Sequence, residues 1–243
     1  MRTANPALNA KTFQSVSRPI GATDVMTLEG SVNKTILGIL LTMGAAWWSW
    51  SMGPAMVALL LPSLIVSLIV AIALIFKKNW APVLTPVYAI AEGLMLGTIS
   101  LFAEMQFPGI VFQAVSLTFG TLFALLMAYK TKLIPVTQNF KLGIVAATGG
   151  IFVVYLLSMI LQLFGVNISF LHDSSPLSIG ISCFVVVIAA LNLVLDFDFI
   201  ENGANSGSLP KYMEWYAAFG LLVTLIWLYL EILHLLMKLN SRR

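Results

Sequence analysis

Residues 191–203 read LNLVLDFDFIENG and set three carboxylates, Asp196, Asp198 and Glu201, at the end of an apolar run. Two further acids, Glu92 and Glu231, lie within apolar runs of their own. Carboxylate oxygens bind protons and hard cations such as calcium. Within hydrocarbon an acid costs roughly 2.5–3.5 kcal/mol on insertion scales, so it faces a bundle interior or a water-filled cavity and marks a functional site by default. Two acids that share a site hold one proton more tightly, which lets a proton compete with calcium near neutral pH. Other chemistries lack their residues. GxSxG, HExxH, Walker A and GxGxxG are all missing, which argues against an enzyme. The single cysteine, Cys183, sits in an apolar run, forms no internal disulfide and reads as a buried packing thiol.

The elements that must carry these acids follow from composition. The 243 residues are 59% hydrophobic and 9% charged, against about 25% charged in soluble domains. The chain therefore lies in a bilayer as an all-α integral membrane protein. Its net charge of +3 is spread over tails and loops, so no nucleic-acid surface is expected. Seven runs reach the length of a span, about 17–25 residues: Thr35–Met52, Ala55–Phe76, Val83–Ala103, Ile110–Tyr129, Leu142–Phe164, Leu177–Leu195 and Trp215–Met237. Gly53-Pro54, KKNWAP, EMQFPG, KTKLIPVTQNFK and NISFLHDSSP separate them. The domains expected are a polar tail (1–34) with no signal-peptide h-region, a transmembrane bundle (35–237) and a short basic tail (238–243).

Lysine and arginine set the orientation. Ten of the 13 basic residues fall on the side of the N-terminal tail, so that side is cytoplasmic. Trp47, Trp48 and Trp50 then belong to the outer interface, and the basic C-terminal tail is the one mild disagreement. In the sixth span Ser178, Ser182, Val185, Ala189, Asn192 and Asp196 recur every three or four residues and share one polar face. Asp198 points elsewhere, toward the headgroups with Glu201. Lys77 and Lys78 close the second span on the same side as Asp196, where an Asp196–lysine latch would plug a cytoplasmic mouth. Glu92 lies roughly 14 Å into the third span, near the midplane. Glu231 and His234 share a face of the last span; His172 and Asp173 read as solvated in an outer loop. Two small-residue stripes, Ala89/Gly93/Gly97 and Ser116/Gly120/Ala124/Ala128, read as helix-packing seams.

The stretches RTANPALNAKTF, PVYAIAEGLMLGTIS and NLVLDFDFIENG…LPKYMEWYAAFGLLVTLIWLYLEILHLL resemble the bacterial branch of the Bax inhibitor-1/YccA family over essentially the whole chain. The resemblance implies a seven-helix bundle with the last helix central, in the bacterial inner membrane. It implies a pH-sensitive calcium leak, and for bacterial relatives modulation of a membrane AAA protease. The family's pH sensor pairs an aspartate of the sixth helix with one of the last. Asp196, in LVLDF, matches the first; Thr224 stands at the second, with Glu214 and Glu231 the nearby acids. A latching arginine of some relatives falls near Lys77 and Lys78. The expectation is a calcium leak gated at Asp196, with Asp198 beside it and Glu92 and Glu231 deeper; calcium would be bound by Asp196 and Glu92. The alternative is a non-transporting regulator that docks on a membrane protease or other membrane complex through its N-terminal tail. A proton-coupled carrier is a third, weaker reading, since no inverted repeat is visible.

Overall fold

In hydrocarbon a backbone can satisfy its N–H and C=O groups only in helices or closed barrels. The computed structural model describes residues 25–165, 173 and 175–242. Among them are seven α-helices: α1 (Leu28–Ser51), α2 (Val57–Phe76), α3 (Ala81–Gln106), α4 (Ile110–Lys130), α5 (Gln138–Leu163), α6 (Pro176–Asn205) and α7 (Met213–Asn240). Pairing of extended backbone among the described residues is one antiparallel bridge, Val25 with Pro210. The chain is an all-α membrane protein.

Six helices, α2 to α7, are long and apolar enough to cross a bilayer. The expected seventh, α1, has 24 residues but falls outside that group. Lys34, its glycines and the WWSWS end dilute its apolar content. Helix boundaries also run beyond the apolar runs. Thr27 caps α1, its Oγ1 accepting from Gly30 N at 3.0 Å, so the helix begins at Leu28 inside what reads as polar tail. Thr137 caps α5 in the same way, accepting from Phe140 N. The sixth helix continues to Asn205, which puts all three acids of LNLVLDFDFIENG on helix. Gly53, at φ +69°, turns the chain after α1, and Pro54 then opens a short 3-10 turn leading into α2.

The span 35–237 divides into two compact units. The first holds residues 25–106 and Asp196–Val223. Here α1 packs closely on α3. A Cβ on Gly97 would sit 2.9 Å from Ala46 Cα, with the Ala46 carbonyl oxygen nearer still. A Cβ on Gly93 would sit 2.7 Å from Ala45 Cβ. The Ala89/Gly93/Gly97 stripe is therefore a packing seam, as its spacing predicts. The Ser49 hydroxyl crosses it, 2.9 Å from both Leu94 O and Thr98 Oγ1. The start of α7 joins the same core: Tyr88 meets Phe219 edge to face at 4.9 Å, and Thr85 Oγ1 donates to Trp215 O.

The second unit holds Phe107–Leu195 and residues 224–242. Two expectations fail here. The Ser116/Gly120/Ala124 positions of α4 are exposed, and a Cβ on Gly120 would meet nothing within 4 Å. The buried side of α4 is instead Ile110, Ala114 and Thr118. Period marks a face of small residues but not which face has a neighbour. Cys183 is exposed rather than buried, because it adjoins Ser182 and so points away from the buried face of α6.

Candidate functional site

The residues of the expected polar face of α6 lie in the interior. Ser178, Ser182, Val185, Ala189, Asn192 and Asp196 are all buried, and Asp196 is 0% exposed. Asn192 is held from two sides: Nδ2 donates to Ile188 O, one turn back, and to Thr148 Oγ1 of α5, both at 2.8 Å. Asp198 and Glu201 are half-buried on the last turns of the same helix. Asp198 O accepts from Asn202 Nδ2 at 2.6 Å. Extension of the helix past Leu195 is what carries Asp196 inward, since a loop there would leave its backbone groups to be satisfied otherwise.

Glu92 is buried in α3 in the first unit. Its hydrogen-bonding neighbours are the hydroxyls of Tyr88, one turn earlier, and of Ser67 in α2. No hydrogen bond reaches Glu92 Oε2. The neighbouring seam at Gly93 fixes the rotation of α3 and so the direction of Glu92. In the same unit Lys77 is exposed and Lys78 half-buried. A buried oxygen with spare acceptor capacity can take a proton, a water or a cation.

Glu231 lies in the second unit, 6% exposed. It accepts from Tyr155 Oη at 3.1 and 3.2 Å and from Trp227 Nε1 at 3.1 Å. Asp173 is exposed and caps the backbone before α6 through Ser175; His172 lies outside the described residues. Among the described residues no three acidic, cysteine or histidine side chains converge on one point. Calcium takes 6–8 oxygens, more than any one of these acids supplies.

A further buried acid, Glu214, is one that sequence reasoning left out of the site. Glu214, at the first turn of α7, is fully buried. Its Oε1 accepts from Thr27 N at 3.0 Å and Thr27 Oγ1 at 2.8 Å. Oε2 pairs with Lys34, and Lys211 Nζ lies 3.9 Å from Oε1. The Lys34 ammonium also sits 5.8 Å from the Trp215 ring centroid. A Cβ on Gly30 would overlap the Glu214 carboxylate as placed, so the carboxylate would have to shift. Met26 N donates to Leu209 O at 2.7 Å and completes the clasp of residues 25–34 onto the start of α7. A carboxylate at a helix N-terminus also opposes the positive end of the helix dipole. The only local signal was Lys211 three residues ahead of Glu214; the other partners are more than 175 residues distant in sequence.

A family model described as Bax inhibitor 1 like matches residues 5–241. No curated protein and no solved structure matches the chain.

Proposed function

Because the chain belongs to the Bax inhibitor 1-like family, we propose that it is a seven-span, pH-sensitive calcium leak of the bacterial inner membrane, gated at Asp196. Its N-terminus is cytoplasmic, on the side that collects ten of the 13 basic residues. The observation that carries this reading is the complete burial of Asp196 at the end of a buried polar face. A carboxylate so placed is stable only with a proton, a cationic partner or a bound cation. Each of those states differs in charge, and exchange among them is what a pH-sensitive cation gate needs. Lys77 and Lys78 supply the cationic partner in the closed state. Glu92, with an oxygen that no hydrogen bond reaches, is the next ligand along the path, and Asp198 borders the mouth.

The variants Asp196→Asn and Glu92→Gln test the assignment in proteoliposomes between pH 6 and 8. Both should change calcium flux and flatten its pH profile, while Glu29→Gln, on the exposed side of α1, should leave the profile as it is. If both variants reproduce wild-type flux at every pH, the acids are structural. A regulator docking on a membrane protease would then be the better reading, tested by deleting the N-terminal tail.

A further inference from the structure

Ahead of α1, residues 25–27 lie against the turn that joins α6 to α7, all within the first unit. Val25 pairs with Pro210 in an antiparallel bridge, and Met26 N donates to Leu209 O at 2.7 Å. Met26 is buried, as are Leu209 and Met213, whereas Thr27, Leu28 and Glu29 are exposed. The segment is thus a strap at the surface with one apolar side chain turned inward. Its catch is a single carboxylate. Thr27 N and Thr27 Oγ1 both donate to Glu214 Oε1, and Lys34 pairs with Oε2. An isolated pair of extended segments is marginal by itself, and methionine is unbranched and flexible enough to leave its seat. Loss of the Glu214 charge therefore loosens the whole strap. The same end of α6 leads to Asp196, nine residues before Asn205 and about 13.5 Å away along the axis. Phe199 and Ile200, between them, are buried apolar side chains like Leu209 and Met213. Of these apolar side chains, Met26 is the one carried by a strap rather than by α6, α7 or the turn between them.

We propose that residues 25–27 are an autoinhibitory strap: caught on Glu214, they hold Met26 as a plug on the cytoplasmic route to Asp196, and their release opens that route. The proposal rests on the leak reading above and adds to it a second closure, ahead of Asp196. It gives the buried Glu214 a role that the ion path does not use. A plug on a strap moves without any spanning helix having to shift, so this closure opens at less cost than a rearrangement of the bundle.

The test has two readouts on the full chain, both in a Cys183→Ser background. The first is the labelling rate of Met26→Cys by a charged, water-soluble maleimide, which needs no leak. Adding Glu214→Gln should speed labelling about tenfold, as loss of a charge-assisted catch requires. The second is calcium flux in proteoliposomes at one pH for a Val25→Cys, Pro210→Cys pair. Residues paired across an antiparallel bridge have Cα atoms about 4.5–5.5 Å apart, which suits a disulfide. Flux should fall toward the protein-free level when the disulfide forms and return on reduction, so one folded sample is its own control. Flux that appears only with Glu214→Gln or the reduced pair supports the strap equally. Unchanged labelling overturns the proposal. So does equal flux from the oxidised and reduced pair while the wild type leaks, an outcome that leaves the leak reading standing. If no form of the chain leaks, the leak reading itself fails and the strap's gating role with it.

Discussion

Replacing Gly97 by alanine puts a methyl group against the backbone of the neighbouring helix. The Cβ would sit 2.9 Å from Ala46 Cα and carbonyl carbon, with the oxygen nearer. Backbone atoms cannot swing aside, so α1 must move as a body. Ordinary carbon contacts lie at about 3.5–4.0 Å, which requires a shift on the order of 1 Å. The Ser49 hydroxyl now lies 2.9 Å from Leu94 O and from Thr98 Oγ1. That shift carries both contacts past about 3.5 Å, where little hydrogen bond remains. Interhelical hydrogen bonds in bilayers average about 0.6 kcal/mol, and forced overpacking costs about 1–3 kcal/mol. The better helix propensity of alanine returns about 1 kcal/mol. A net loss of about 1–3 kcal/mol remains. Titration with a denaturing detergent, followed by tryptophan fluorescence, measures it. Gly44→Ala is the control on α1, since a Cβ there meets nothing within 4 Å. Equal unfolding midpoints for the two variants would refute close packing at this seam.

Glu214→Gln keeps an acceptor for Thr27 but removes the charge facing Lys34 and Lys211. Charge-assisted hydrogen bonds contribute about 1.5–3 kcal/mol, and with Lys34 21% exposed the lower end applies. Limited proteolysis should then cut within residues 25–34 faster than in wild type; an unchanged cleavage rate would count against the clasp. Asn192→Leu removes the tie from α6 to Thr148 at a cost of about 0.6 kcal/mol. In that background Thr148→Val should cost nothing further, and a full additive loss in the double-mutant cycle would show that the two side chains do not interact.

The legible parts of the sequence were the periodic ones. Long apolar runs broken by Gly-Pro and lysine-rich turns marked the helices, and the three- and four-residue spacing of Ser178 to Asp196 marked a face that the fold buries. The third-span glycines were legible because close approach demands them. What stayed hidden depends on partners distant in sequence. Glu214 reads as an ordinary acid at a helix entry until Thr27 and Lys34 close on it. Lys238 reads as part of a basic tail until α7 is seen to continue to Asn240 and bury it beside Ser182. Cys183 and the α4 stripe were misread because an apolar run or a small-residue period does not tell which side meets protein and which meets lipid. Of the seven expected spans α1 has the weakest hydropathy signal, because tryptophan and serine belong at an interface.

The most direct measurement is calcium entry into liposomes holding the purified wild-type chain, from pH 6 to 8, against protein-free liposomes. A leak gated at Asp196 requires flux above the protein-free level that changes across this range. Flux equal to that of empty liposomes at every pH would contradict it.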